Sequence, residues 1–172
     1  MKKLIFDTSA ILNFGYRGRL ELLLERLTTR YALLTTSEVE REILRHPQGL
    51  KQHRETLKRH FQLQDGKAVK VEAAKLNRLA SALSTSEVSV ILLASELSAT
   101  VALEDGTARK QAAAMKVKLS GTVELMAEGV KRKWCTDRQC IESVALLSGN
   151  GFKIRLVDPG VTFVQYAQSF GI

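Results

Sequence analysis

The chain has 172 residues and a mass of 19.1 kDa, 45% of them apolar and 26% charged. That is an ordinary globular composition, enough for one compact domain that buries roughly 70% of its unfolded surface. Lys and Arg number 26 against 18 Asp and Glu, a net charge of +8 and a pI of about 9.7, which excludes an acidic solvating chain and makes a polyanionic partner plausible.

No apolar run approaches the ~20 residues of a membrane span. Asp7 ends the apolar stretch that follows Met1-Lys2-Lys3, so no signal peptide is read there. Cys135 and Cys140 lie far from His46, His53 and His60, which argues against a zinc site and for a reduced, cytoplasmic protein.

Taken in chain order, Lys2 to Phe6 reads as a short buried strand ending on Asp7. Helices are expected at Ala10 to Phe14 and at Arg17 to Leu27, where Leu20, Leu23, Leu24 and Leu27 share one face. Tyr31 to Leu34 is a second strand, and Thr35-Thr36-Ser37, with Glu40 three residues after Ser37, caps a helix running to Arg45. Pro47 interrupts it. A basic helix is expected over 48–61, an extended excursion over 62–71 and a helix over 72–83. Ser84 with Glu87 forms a capping box that opens a helix to Leu97. Its residues Val88, Val90, Ile91, Leu92, Leu93 and Ala94 are apolar nearly all round, so it is expected to be buried. Further strands fall at Thr100 to Leu103 and Lys116 to Leu119, with a helix from Thr107 to Met115 between them. Gly121-Thr122 opens a helix to about Lys133. A helix near Arg138 to Leu147, a strand at Lys153 to Val157 and a short last helix follow. Strands alternating with helices predict an α/β fold with a parallel sheet, whose ligands bind outside the carboxyl ends of the strands.

Acids gather at those ends. Asp7 follows the first strand, with no Gly-rich phosphate loop after it. Glu38, Glu40 and Glu42 share one helix, and geometry alone selects none of them. Glu87 lies beside a buried stripe, where a carboxylate is costly unless paired, neutralised or metal-bound. The plainer alternative is that it closes the capping box with Ser84. Glu104 and Asp105 are adjacent acids that repel each other after a strand. A cation between them and Asp7 would remove that cost. Oxygen-only ligands suit Mg²⁺ or Mn²⁺.

Leu4-Ile-Phe-Asp-Thr-Ser9, Gly18-Arg-Leu-Glu-Leu-Leu23, Val39-Glu-Arg-Glu-Ile43, Leu83-Ser-Thr-Ser-Glu87, Val101-Ala-Leu-Glu-Asp105 with Ala108-Arg109, and Ser120-Gly-Thr122 occur here in an order that resembles the PIN domain. Residues 1–133 carry most of the match, and Gly151-Phe-Lys-Ile154 resembles the tail of one subgroup. The resemblance implies a single domain over 1–172, with a core over 1–133 and an extension over 134–172. Its fold would be three layers, α/β/α, around a twisted parallel sheet, with an extra helical segment between the second and third acidic motifs. Carried over residue by residue, it implies Asp7, Glu42, Glu87 and Asp105 as catalytic acids, Glu104 as a further metal neighbour, and Ser9 and Thr122 as small hydroxyls lining the pocket. Two features depart from the family pattern: Glu87 stands where many members have Asp, and Ser89 where some have a second acid.

The activity so implied is Mg²⁺- or Mn²⁺-dependent hydrolysis of RNA phosphodiester bonds, with Asp105 or Glu87 orienting the water. A toxin–antitoxin pair, an antitoxin protein and a homodimer follow from the same resemblance. The alternative is a nucleic-acid- or partner-binding module with weak or no catalysis. Two basic runs suit a phosphate backbone. Arg41, Arg45, Lys51, Arg54, Lys58 and Arg59 face only Glu42 and Glu55 in charge, while Lys131, Arg132, Lys133 and Arg138 face Asp137. Trp134 is expected either to stack on a base or to anchor the core.

Overall fold

The computed structural model describes residues 1–46, 50–66 and 73–172. Its centre is a five-stranded, all-parallel sheet in the order β3-β2-β1-β4-β5, flanked by helices in a three-layer α/β/α arrangement. The strands are β1 (Lys2–Phe6), β2 (Tyr31–Thr35), β3 (Gln62–Leu63), β4 (Thr100–Ala102) and β5 (Lys118–Ser120). The most apolar strand takes the middle: Leu4, Ile5 and Phe6 are fully buried, as a strand covered on both faces requires. Leu4 pairs with Leu33 of β2 on one side and Thr100 of β4 on the other.

The helices are α1 (Thr8–Leu12), α2 (Glu21–Thr28), α3 (Ser37–Arg45), α4 (Leu50–His60), α5 (Ala73–Ala82), α6 (Thr85–Leu97), α7 (Gly106–Ala114), α8 (Thr122–Lys131), α9 (Asp137–Gly149) and α10 (Phe163–Gln168). A π-helical turn, Asn13–Arg17, continues α1. The expected capping box of Ser84 and Glu87 is present, and α6 buries Val90, Ile91, Leu93 and Ala94. At α3 the cap is Thr36, whose hydroxyl accepts from the Val39 N–H. Thr36 is thus the capping member of the Thr35-Thr36-Ser37 stretch, while Ser37 begins the helix and donates through both its N–H and its hydroxyl to Asp65.

The chain runs from β1 outward to β2 and β3, then returns across the sheet to β4 and β5. The strand order therefore reverses between β1 and β4, and in such sheets ligands bind at the carboxyl ends of the strands flanking that point. Asp7 leaves β1 there, and Glu104 follows β4 by two residues.

Two expectations change. The fifth strand is not Lys153 to Val157 but Gln62–Leu63, which extends the β2 edge with Leu34 opposite Gln62 and Thr35 opposite Leu63. Residues 153–157 form no regular element. Their alternation serves α10 instead: the Tyr166 hydroxyl donates to the Arg155 carbonyl at 2.5 Å, and the Arg155 guanidinium donates to Ser169 and lies 5.8 Å from the Tyr166 and Phe170 ring centres. The extra helical segment is α4 with α5, although 48–49 of the expected basic helix and 67–72 of the next expected elements lie outside the described residues. His46, His53 and His60 recur every seven residues, a spacing expected of one helix; instead His46 ends α3 while His53 lies on α4, and their rings meet edge to face at 5.8 Å. One apolar cluster joins the sheet to Cys140, Val144 and Leu147 of α9 and to Phe163 and Tyr166 of α10.

Candidate functional site

Asp7 is only 3% exposed. Its carboxylate caps α1, accepting from the Ala10 N–H at 2.7 Å. Burial pushes its pKa well above the usual carboxylate value. Hydrogen bonds from the Ala10 and Glu104 backbones oppose that rise, while the charges of Glu104 and Glu87 add to it. Ionised Asp7 is therefore disfavoured, a cost that either protonation or a bound cation would remove.

Glu104 is the second inward acid. One oxygen, Oε1, accepts from the Thr122 N–H at 2.7 Å and from the Thr122 hydroxyl at 2.5 Å. Burial raises its pKa, the two Thr122 hydrogen bonds lower it, Glu124 raises it and Arg109 lowers it. Thr122 in turn accepts from Asn13 Nδ2 at 3.1 Å, and both residues are 0% exposed. Asn13 Oδ1 is buried with no hydrogen-bond partner. Arg109 holds the frame behind Glu104: it donates to the carbonyls of Leu103 and Ser120, each at 2.9 Å, and to Glu124 at 2.7 Å. A Cβ on Gly121 would lie 2.8 Å from Glu124 Oε2 and 3.0 Å from Arg109 Nη1, so any larger residue would disturb that ion pair.

Asp105 is placed differently. It is exposed and N-caps α7, one oxygen accepting from the Thr107 and Ala108 N–H groups at 2.8 Å. Of the adjacent pair, Glu104 is the acid whose charge reaches Asp7. Glu87 does both things that its sequence position allowed. It closes the capping box, accepting from Ser84 N–H and hydroxyl at 2.8 and 2.9 Å, and its charge also reaches Asp7. Glu42 extends from α3 and accepts from the Thr8 hydroxyl at 2.8 Å and from the Ser86 hydroxyl. Its neighbours on α3 differ: Glu38 pairs with Arg41 at 3.0 Å, and Glu40 lines a separate cavity with Arg54 and Lys58. Ser9 is half-buried in the first turn of α1, where its carbonyl accepts from the Asn13 N–H. Ser89 joins α6 to the start of α3, 2.7 Å from the Thr36 hydroxyl, and donates to the Ser86 carbonyl.

A family model for the PIN domain matches residues 3–155. The chain belongs to the PIN-domain family. Comparison with curated proteins finds none that matches it. PIN domains are generally nucleases and typically use divalent metal ions.

Among the described residues, no three His, Cys, Asp or Glu side chains stand together as a ready-made ligand cluster. The donors present still fit Mg²⁺ or Mn²⁺. Mg²⁺ keeps several waters and takes one or two protein carboxylates, and buried Asp7 and half-buried Glu104 are two mutually repelling carboxylates of the kind it would take. The unsatisfied Asn13 oxygen belongs to the same hydrogen-bonded group. Sequence reasoning missed Asn13, Thr8, Ser86 and Glu124. The interruption of regular helix at Asn13, where a π-helical turn begins, is a feature frequent at functional sites but carries no local sequence signal here.

The two basic runs are separated in space. Arg41 and Arg45 line a cavity of about 290 Å³ together with Glu42 and Ser86, and Glu42 in turn accepts from Thr8, the residue after Asp7. Lys51, Arg54, Lys58 and Arg59 are exposed on α4, and Arg54 and Lys58 line the neighbouring cavity beside Phe61 and Leu63. Lys131 and Lys133 are exposed, and Arg132 pairs with Glu128 at 2.7 Å. Glu128 also receives the hydroxyl of Tyr31, the first residue of β2. This run therefore lies at the amino ends of the strands, opposite the acids. Trp134 is half-buried against the core, with the Arg132 guanidinium 5.3 Å from its ring centre. Among the described residues, no helix is long and apolar enough to cross a membrane.

Proposed function

We propose that this PIN domain is a Mg²⁺- or Mn²⁺-dependent endoribonuclease that hydrolyses RNA phosphodiester bonds as a single domain over 1–172. The observation that carries the reading is Asp7: a buried carboxylate at the point where the strand order reverses, its ionisation opposed by burial and by Glu104 and Glu87. In this reading Asp7 and Glu104 bind the ion, with Glu87 and Asp105 at its edge. A bound ion of this kind supplies an acidified water and offsets charge on the scissile phosphate. Asn13 and Thr122 fix the Glu104 carboxylate; Thr8 and Ser86 fix Glu42. Arg41 and Arg45 receive the phosphate backbone beside Glu42, and the cations of α4 extend that surface.

The resemblance to toxin PIN domains extends the proposal to a cytoplasmic toxin restrained by an antitoxin protein, acting as a homodimer. A second reading, a nucleic-acid-binding module without catalysis, is favoured by one observation: Asp105 spends its carboxylate on capping α7.

One assay separates them. Purified protein is incubated with RNA in Mn²⁺ or Mg²⁺, with and without EDTA, beside Asp7→Asn. The nuclease reading predicts cleavage that EDTA and the substitution both abolish. RNA binding without cleavage in either metal establishes the binding module. Growth arrest on expression, relieved by a co-expressed partner, tests the toxin role.

A further inference from the structure

The α8–α9 junction holds two thiols that the nuclease reading does not use. Cys135 and Cys140 are free, with their sulfurs 3.4 Å apart. Their meeting follows from local sequence. Thr136 caps α9 in a capping box with Gln139, so Cys135 is the residue before the cap and Cys140 the fourth of the helix. Side chains at those two positions pack across the first turn of a helix, usually as an apolar staple. Here both members are cysteine.

The pair is held from outside as well. Both sulfurs lie 3.9 Å from the Met126 carbonyl oxygen. A Cβ on Gly129 would come within 2.8 Å of Cys135 Sγ, so that glycine makes room for the thiol. The two cysteines differ in access. Cys140 is fully buried in the core. Cys135 is half-buried and lines a cavity of about 280 Å³ with Leu20, Leu22, Leu23, Trp134 and Leu146.

We propose that Cys135 and Cys140 are a peroxide-oxidisable dithiol, Cys135 reacting first through this cavity and Cys140 then closing an intramolecular disulfide. The hydrogen bond from Cys140 holds the Cys135 thiol below its ordinary pKa against the effect of burial, while the same contact and burial push Cys140 up. Cys135 is therefore the nucleophile, since the thiolate is the reactive form.

The steps balance. The Cys135 thiolate attacks one oxygen of a hydroperoxide, the O–O bond breaks, and sulfenic acid and water (or an alcohol) result once protons are taken up. The Cys140 sulfur then attacks the Cys135 sulfur. The S–O bond breaks and a second water leaves with the Cys140 proton. Two electrons pass from the dithiol to the peroxide. Closure requires the sulfurs to move from 3.4 Å to about 2.05 Å. The bond would tie the segment after α8 to the first turn of α9, directly behind Trp134, the one tryptophan of the chain.

The experiment treats reduced full-length protein with a small molar excess of hydrogen peroxide, then measures intact mass, alkylatable thiols and peptide maps. The expected result is loss of the mass of two hydrogen atoms within the peptide carrying both cysteines. Neither thiol then alkylates, the protein runs as a monomer on a non-reducing gel, Trp134 emission changes, and dithiothreitol reverses each effect. In Cys140→Ser, Cys135 is expected to stop at sulfenic acid and be trapped by dimedone. Two thiols that still alkylate, disulfide-linked dimers, or oxygen added to cysteine without loss of hydrogen would each overturn the proposal. The wild-type measurement needs no variant to fold and does not depend on nuclease activity.

Discussion

Replacing Thr122 by valine removes one oxygen from a fully buried site while nearly preserving shape. That oxygen makes two contacts: it donates to Glu104 at 2.5 Å and accepts from Asn13 Nδ2 at 3.1 Å. A hydrogen bond to a charged group contributes about 1.5–3 kcal/mol, and an orphaned buried donor costs about 1–3 kcal/mol. The Thr122 N–H still reaches Glu104 and the added methyl group recovers part of the loss, so a net destabilisation of about 3 kcal/mol is expected. For a chain of this size that lowers Tm by about 6–12 °C. Thr122→Ser keeps both contacts and loses one methyl group, worth about 1 kcal/mol. The assay is thermal unfolding of both variants beside wild type in metal-free buffer. If valine unfolds within about 2 °C of wild type, or serine is as damaging as valine, the Asn13–Thr122–Glu104 chain does not hold the site together.

Three other predictions concern charge. Asp7 has a pKa raised above its unfolded value of 3.8, so the folded state binds more protons than the unfolded state over the interval between the two values. The stability due to this group is complete below the unfolded pKa and is lost as pH rises through the folded one. In metal-free buffer, Asp7→Asn should therefore gain Tm relative to wild type as pH rises from acid towards neutral, and a difference in melting temperature that stays constant with pH would contradict the burial of an ionisable Asp7. Arg109→Ala removes the guanidinium that joins Leu103, Ser120 and Glu124 and should cost about 2–3 kcal/mol in denaturant unfolding; a loss within error of zero would show that the strand ends need no such tie. Arg41→Ala with Arg45→Ala should lower the salt slope of RNA binding by about 1.4–1.8, the equivalent of two phosphate contacts. Lys131→Ala with Lys133→Ala should lower it less, and the reverse order would place the RNA on the opposite end of the sheet.

Much of this was legible because it is local. The run Leu4-Ile-Phe followed by Asp7 is a central strand with an acid at its end, since only a strand covered on both faces is so apolar. Ser84 and Glu87 announce a helix start by chemistry that acts over three residues, and that box forms as read. What was not legible depends on distance. Lys153 to Val157 alternates like a strand, but whether a sheet edge awaits it is decided elsewhere; α10 takes the segment instead. Gln62–Leu63 open the stretch read as extended over 62–71, but their place in the sheet comes from the open edge of β2.

The site shows the same limit. The resemblance singled out Asp105 as a catalytic acid and Glu104 as its neighbour, but which of the two faces β1 depends on the fold. The structure turns Asp105 to the α7 N-terminus and Glu104 to Thr122, whose partner Asn13 lies 109 positions away. Sequence separation likewise concealed that Arg41 and Arg45 lie beside Glu42, while Lys131 and Lys133 lie at the amino ends of the strands. The net charge of +8 is therefore not one nucleic-acid surface: Arg41 and Arg45 flank Glu42, while Arg109 is taken up by Glu124 behind Glu104.

The central claim, that the buried acids form a divalent-cation site, is tested most directly by titrating Mn²⁺ into the metal-free protein and measuring binding by calorimetry, with Asp7→Asn and Glu104→Gln alongside. The account predicts saturable binding to wild type, loss of that binding in Asp7→Asn and marked weakening in Glu104→Gln, with both variants folded. Binding of Mn²⁺ to Asp7→Asn with undiminished affinity would contradict it.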